Sequence, residues 1–499
     1  MASNGERRLT ILTKVAFGIG QMAEGIKNVA FSMFVVFYYN QVLGLDPALA
    51  GLAAALALFF DAITDPLAGA LSDSFRSRWG RRHPFMVVSS VPLAVTFFFL
   101  FAPPPGLEGG ALFAWLLVMA ILVRGAMTFY HVPHLALGAE LAPDYRDRTT
   151  IFTYSTMFGF LGGLGMRSAA LPLFFPSSQN GLQNAEAYPR FAMSMAIIMM
   201  VSILVCAWGT RSEIPHLPQA SGRQRFSFSQ MIGALWGLLG YKSFRSIFLG
   251  MATTTLIFGI EIFMYTYMGK FFWELTEEQL GLLGLATVVG LPAAFFVVPW
   301  MTRRLDKRNA LVSVVVILIL ASNIPIISRL VGVFPENGSP ILLPLLIAFR
   351  LVFSVLSPAL YILPQSMFAD IGDEVALATG KRLEGVIFSA RSLIGKGVIA
   401  IGTALGGVAL KVIEFPAKAV PGEVDPSVVF NLGVVEGPAT SVFTLLGLTF
   451  YMAYPLNAAR HAEIQAALEK KKAHAQTSAD AEGEPTMTAR TEVAALDNA

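Results

Sequence analysis

The sequence predicts an all-α membrane protein of twelve transmembrane helices arranged as two six-helix halves, and three observations carry that prediction. Of 499 residues, 55% are hydrophobic and 14% charged, against about 25% charged in ordinary soluble domains. Apolar runs of about 20 residues, the length a helix needs to cross roughly 30 Å of hydrocarbon, recur along the chain. Basic residues gather in alternate loops, the bias that marks a cytoplasmic side. The short alternating segments of a transmembrane barrel do not appear.

The spans read in order as 15–39, 48–72, 84–103, 111–131, 151–175 and 190–209, then 246–272, 279–301, 309–331, 341–366, 384–411 and 438–455. Six spans, a polar stretch and six more are the plan of two similar halves. The domains follow: 1–209 and 246–457 are the halves, and 210–245 is a cytoplasmic linker holding Arg211, Arg223, Arg225 and Lys242. Residues 458–499 form a cytoplasmic tail, with 460–476 a charged helix that meets anionic lipid and 477–499 polar, disordered sequence. The first apolar stretch follows Arg7, Arg8 and Lys14 as a leader would. It runs on to Tyr39 without a small-residue cleavage site, so it reads as a retained helix.

Arg76, Arg78, Arg81 and Arg82 follow the second span, Arg303, Arg304, Lys307 and Arg308 the eighth, and Lys381 and Arg382 the tenth. The intervening loops 103–110 and 174–189 carry no Lys or Arg. Both termini are therefore expected in the cytoplasm, with the chain in a cell inner (plasma) membrane. A net charge of +3 gives no nucleic-acid surface. The lone Cys206 excludes an intramolecular disulfide and a multi-cysteine metal site.

An ionisable residue at the centre of a membrane helix costs roughly 2.5–3.5 kcal/mol on insertion scales, so each one requires an account. Asp61 and Asp65, four apart in FFDAITDPLAG, project from one helix face. Two such carboxylates repel unless a cation or proton lies between them, and Thr64 adds a hydroxyl oxygen. The alternative is that one Asp pairs with a basic residue of another helix. Lys396, in SLIGKGVIAIG, is the basic neighbour the sequence offers, and it would bridge both carboxylates when the cation is absent. Glu24 and Lys27, three apart in the first span, read either as a mutually neutralising pair or as solute contacts.

In TFYHVPH, Thr128, Tyr130 and His131 end the fourth span, where Pro133 is expected to break the backbone pattern. His131 reads either as a packing residue or as a proton carrier near the aspartates. Arg124, Glu261 and Arg391 lie in spans without an interpretable motif. Between the second and third spans, Gly69, Asp73, Arg78, Gly80, Arg81 and Arg82 form G-x-x-x-D…R-x-G-R-R. Asp73 is expected to cap a helix end there, and its partners to clamp the loop as a gate.

That loop resembles the signature of the major facilitator superfamily. The fuller run Asp61-Ala62-Ile63-Thr64-Asp65-Pro66…Arg76-Ser77-Arg78-Trp79-Gly80 is similar to the glycoside–pentoside–hexuronide:cation symporter family, which includes the melibiose carrier. Tyr38-Tyr39 with Gly44-Leu45, Val132-Pro133 with Leu137, Ala369-Asp370-Ile371…Asp373, Glu384 and Lys396 extend the likeness over both halves. His-Val-Pro and Ile-Thr-Asp-Pro also resemble the animal lysophosphatidylcholine symporters, a related branch. The resemblance implies the major facilitator fold and solute uptake coupled to Na⁺, Li⁺ or H⁺ by alternating access. It puts the family's cation-site aspartates on Asp61 and Asp65, its fourth-helix threonine on Thr128 and its eleventh-helix lysine on Lys396.

The resemblance also has departures. The family's first-helix sugar-binding aspartate falls near Gly25, its fourth-helix aspartate on His131, and its fifth-helix arginine near Ser155 and Thr156. A sugar needs several matched buried hydrogen bonds, so these losses open the alternative of an amphipathic, lysolipid-like solute.

The expected function is a cation-coupled secondary active symporter importing a sugar or glycoside, with the lysolipid-like solute as the alternative. Asp61, Asp65, Thr64 and Thr128 are expected to hold the coupling cation, Na⁺ or H⁺, and Lys396 to bridge the carboxylates. Glu24, Lys27, Tyr130, His131 and Arg391 are expected to meet the solute. No cofactor, no catalytic residue and no metal beyond a transported Na⁺ are expected. The partners are the solute and membrane lipid, not nucleic acid, and the chain is expected to act as a monomer. Two other classes compete. A membrane-embedded lipid-linked sugar transferase needs a carboxylate-rich polar loop, which the basic linker is not. A non-transporting sensor has no use for Asp61, Asp65 and Lys396.

The loop charges make the topology testable. A reporter fused at Glu108 or Gln179 should read as periplasmic, and one at Arg225 or Asp480 as cytoplasmic; a cytoplasmic signal at Glu108 would overturn the span count of the first half.

Overall fold

The structure is a computed structural model that describes residues 9–141, 145–217, 233, 235–380, 387, 390, 391 and 394–483. Arg7, Arg8, Arg223, Arg225, Lys381, Arg382 and Glu384 lie outside the described residues, as does the tail beyond 483. Among the described residues every regular element is a helix. In chain order they are α1 (11–42), α2 (Pro47–Ser74), α3 (His83–Leu100), α4 (Gly109–Leu141), α5 (145–174) and α6 (Ala187–Gly209). The second set is α7 (Lys242–Phe272), α8 (Glu277–Arg304), α9 (Lys307–Leu330), α10 (Leu342–Thr379), α11 (Ile394–Val412) and α12 (Pro426–Met452), and a tail helix, α13 (Ala458–Gly483), follows.

Ten of these helices are long and apolar enough to cross a membrane. An eleventh, α8, bends by 46° between Glu277–Ala294 and Phe296–Arg304, just past Pro292. α1 is the twelfth helix of the bundle but is less apolar than these, because Gln21, Glu24 and Lys27 lower its hydropathy; all three reappear in the site below. Local chemistry fixes the ends. Asp46 and Asp425 cap α2 and α12, each followed by Pro at the first helical position. Thr276 and Gln279 form a reciprocal capping box at the start of α8, and Gly380 closes α10 in the left-handed conformation.

Three expected boundaries are corrected, the first being the start of α12, which Asp425 caps and which lies at Pro426 rather than 438. Pro133 does not break α4, which runs through it to Leu141; neighbouring helices tolerate the one missing backbone bond. α10 likewise extends beyond 366 to Thr379, interrupted only at Ser357 and Pro358.

The two halves repeat each other in detail. The first helix of each half carries π turns, Ala30–Val35 and Tyr38–Val42 in α1 and Met268–Phe272 in α7. So does the fifth, at Leu161–Gly165 in α5 and Ile394–Val398 in α11. The loop after the second helix of each half is tied to the fourth. Arg82 donates to Glu140 of α4 at 2.8 and 3.0 Å, and Lys307 to Asp370 of α10 at 2.7 and 2.9 Å.

Hydrogen bonds joining the halves gather at one end of the bundle, opposite those two clamped loops. There Tyr267 donates to Asn40 at 2.8 Å, the Leu182 amide to Glu277 at 3.0 Å, and Lys411 pairs with Asp46 at 2.9 Å. Gln41 bonds the 413–425 loop twice, to Pro416 O at 3.1 Å and from the Ala419 amide at 2.9 Å. At the other end, α13 lies on α10 rather than on lipid alone. Ile464 is buried, His461 meets Asp373 at 3.1 Å, and Lys471 donates to Leu377 O at 2.9 Å. The expected helical segment 460–476 is thus part of a longer helix with a protein partner, because its apolar residues find one on α10.

Within each half, helices approach through glycine, as membrane helices do where van der Waals packing must replace hydrophobic drive. A Cβ at Gly25 of α1 would lie 2.1 Å from the Gly159 carbonyl oxygen of α5. Gly25→Leu should therefore force the two helices apart and cost about 1–3 kcal/mol. Gly110→Leu, with nothing within 4 Å of its Cβ, should not. Thermal unfolding of the purified variants checks this; equal midpoints would contradict the close approach.

Candidate functional site

α2 presents Asp61 and Asp65 one turn apart, and α4 faces them with Arg124 and Thr128, also one turn apart. Arg124 Nη1 donates to Asp61 Oδ2 at 2.8 Å. The Thr128 hydroxyl sits between the carboxylates, 3.3 Å from Asp61 Oδ1 and 3.0 Å from Asp65 Oδ1. Lys396, reaching across from α11 of the other half, bonds Asp65 Oδ2. Two negative and two positive groups are thereby neutralised in pairs.

The pairs differ in burial, and that difference decides their roles. The Asp61 and Arg124 side chains are 5% and 9% exposed, whereas Asp65 and Lys396 are 28% and 33% exposed. Removing one partner of a fully buried pair costs about 3–5 kcal/mol because it strands the other charge. A pair that water reaches is weaker and easier to exchange. Arg124 is further held over the Phe31 ring of α1 at 4.4 Å. Three oxygens, Asp61 Oδ1, Thr128 Oγ1 and Asp65 Oδ1, converge here, a donor set that suits a hard cation or a proton.

Several expectations are corrected by this geometry. Lys396 does not bridge the two carboxylates; it contacts Asp65 alone, because Arg124 already holds Asp61. Thr64 does not turn toward the aspartates. Its hydroxyl donates to the Phe60 carbonyl of its own helix at 3.0 Å, the usual outlet for a threonine inside a helix. Tyr130 does not face a solute path. It is fully buried, stacks on His134, and points its hydroxyl at Gly20 and Cys206. Asp73 bonds Arg82 rather than capping a helix end.

Glu24 and Lys27 pair with each other at 2.9 Å, and Asn28 donates to the same Glu24 oxygen at 3.1 Å. His131 contacts Gln21 at 3.2 Å across the α1–α4 interface. His134 is the packing histidine of this helix, stacked on Phe17 with its Nε2 3.0 Å from the Phe17 carbonyl. Arg391 is half-buried beside Tyr361, and its Nε has no hydrogen-bond partner among the described residues.

In the loop, Arg81 joins Arg82 on Glu140 at 2.8 Å, and Arg82 also reaches Ser72 at 2.6 Å. Gly80 sits at φ +74, where a side chain would be strained, and Arg78 is exposed. A Cβ at Gly69 would make ordinary contact with Val132 at 3.6 Å.

Sequence reasoning placed Arg124 in a span without giving it a role, and it missed Glu140 and Arg167. Arg124 stands four before Thr128 as Asp61 stands four before Asp65, and matching those intervals would have found it. Glu140 was hidden by ending the fourth span too early. Arg167, buried on α5, bonds the Tyr265 hydroxyl of α7 and lies over its ring at 4.2 Å. Gly25, Ser155 and Thr156 offer no sugar contact. Gly25 is filled by α5, Ser155 is buried, and Thr156 donates to Phe152 O at 2.9 Å in its own helix.

Comparison with known proteins agrees with this architecture. Residues 16–458 match the family described as MFS/sugar transport protein. A putative glycoside/cation symporter, YagG, of Escherichia coli is 26% identical over 422 residues, covering 83% of this chain and 85% of that protein. A sodium-dependent lysophosphatidylcholine symporter 1-A of Danio rerio is 22% identical over 485 residues, covering 91% and 87%. The solved structure of the nucleoside transporter NupG shares the fold, with a TM-score of 0.60 at 13% identity over 89% of this chain and 99% of that one. With a dozen long helices in two repeated halves and a family match over most of its length, the chain belongs to the MFS/sugar transport protein family of multi-pass membrane transporters.

Proposed function

We propose that the protein is a cation-coupled symporter that imports a sugar or glycoside by alternating access, with Na⁺ or H⁺ as the coupling ion. One observation carries this reading: Asp65 and Lys396, one from each half, form a partly exposed ion pair inside the membrane spans. A cation or proton arriving at Asp65 and Thr128 competes with Lys396 for the same carboxylate. Loading the ion therefore releases a tie between the halves, which is what coupling requires. Asp61 stays anchored by Arg124 and shapes the site from the side.

Closure at the end bearing Asn40, Asp46 and Glu277 fits an inward-facing, unloaded form, given the cytoplasmic placement of the basic loops. The sugar assignment rests on the family description and on relatives named as glycoside symporters. Gln21 with His131, and Arg391, are the proposed polar solute contacts. The second reading, an amphipathic solute, is favoured by α5, where Ser155 is buried, the Thr156 hydroxyl is engaged by its own helix, and Met157, Phe160 and Leu161 are exposed.

Liposomes with an imposed Na⁺ or H⁺ gradient, offered a labelled glycoside or a lysolipid, test both readings. Asp61→Asn and Asp65→Asn should each abolish accumulation against a gradient. They should differ in stability: Asp61→Asn strands buried Arg124 and should lower the unfolding midpoint clearly, at a cost of about 3–5 kcal/mol. Asp65→Asn should lower it little. Retained accumulation in either variant would overturn the site.

A further inference from the structure

A cavity inside the second half is enclosed by α7, α9, α10 and α12. Two carboxylates, Glu261 of α7 and Glu436 of α12, line both it and the cavity beside it. They lie close enough to repel each other. Glu436 Oε2 is buried without a hydrogen-bond partner among the described residues. Glu436 sits on a π turn, Val435–Ala439, beside Pro438. Such turns inside transmembrane helices recur at functional sites.

An independent feature points to a ligand here. Asn323 of α9 is 9% exposed and lines the same cavity. Its Nδ2 donates to Ile319 O at 2.9 Å, yet its Oδ1 has no partner among the described residues. Both orphan atoms, Glu436 Oε2 and Asn323 Oδ1, are acceptors, and a ligand that satisfies them is therefore a donor or a cation.

The nearby charges identify which. Arg350 of α10 is the positive group acting on Glu261, while its Nε is engaged with Thr287 at 3.0 Å. Arg167 is held by the Tyr265 hydroxyl, and Arg391 stands beside Tyr361. None of them pairs with Glu436. An ionised carboxylate inside a membrane protein is costly without a counter-charge, and a like-charged neighbour adds to the cost.

We propose that Glu436, with Glu261 and Asn323 Oδ1, forms a second binding site for a monovalent cation, H⁺ or Na⁺, separate from the aspartates of the first half. The oxygen-only donor set fits either ion. This site stands independently of the coupling role proposed for Asp65.

Infrared spectroscopy of the purified full chain in D₂O, with and without NaCl, tests it, alongside thermal unfolding in NaCl against choline chloride. If the ligand is a proton, a protonated carboxylic-acid carbonyl band should be present, vanish in Glu436→Gln and persist in Asp65→Asn. If it is Na⁺, a Na⁺-dependent stabilisation should need at least threefold more salt in Glu436→Gln but survive in Asp65→Asn. Asn323→Ala, which removes the orphan acceptor while keeping both carboxylates, should shift the same signal and serves if Glu436→Gln does not fold. Wild type and Glu436→Gln alike in both measurements would overturn the proposal. So would a band or Na⁺ response that disappears with Asp65→Asn alone.

Discussion

Lys396 and Asp65 meet inside the membrane spans, one from each half, and in the proposed cycle this is the contact that an ion replaces. A lone ammonium or carboxylate in such a position is costly, so each group requires the other or a substitute. Arg124 relieves Asp61 of the same requirement, and Thr128 ties the two carboxylates without adding charge. Without Arg124, Lys396 would face two carboxylates at once, and an arriving cation would compete for a tighter trap. With it, the proposed exchange concerns a single, partly exposed pair.

The rest of the bundle separates what is fixed from what can part. Within each half, glycine contacts such as Gly25 on Gly159 bring helices so close that only rigid-body movement is easy. The loop clamps, Arg82 on Glu140 and Lys307 on Asp370, hold the same place in both halves. Between the halves, besides the close approach of Gly51 on α2 to Gly407 on α11, polar ties sit at helix ends, where Gln41, Asn40 and Glu277 meet loop backbone or tyrosine. The neutral bonds among them are worth about 0.5–1.5 kcal/mol each, and the one to the Glu277 carboxylate about 1.5–3 kcal/mol. In the proposed cycle, they are the contacts that open when the ion has displaced Lys396.

Much of this was legible in the sequence because the membrane imposes strong rules. Span length, the Lys/Arg pattern and the cost of buried charge gave the helices, the two halves, and Asp61, Asp65 and Lys396 as a group, to which the family resemblance added Thr128. What the sequence concealed was pairing. A lysine near two aspartates reads equally as a bridge or as one member of two pairs, and only the position of Arg124 on α4 distinguishes them. Pro133 misled because a proline that ends a soluble helix is tolerated in a membrane bundle, and the early stop removed Glu140 from view. Tyr130 and Thr64 were misassigned for a related reason: helical periodicity says which residues share a face, but not whether that face meets a cavity, a glycine or the helix's own carbonyls.

The central claim is that an ion and Lys396 compete for Asp65, and it can be tested without knowing the solute. Purified wild-type protein and Lys396→Ala are titrated with Na⁺ at fixed pH, and with protons at fixed Na⁺, while thermal unfolding is followed. Competition predicts that one of the two ions stabilises both proteins, and that its midpoint falls at least tenfold lower in concentration once the lysine is gone. The same midpoint in both proteins, or no response to either ion, would contradict it.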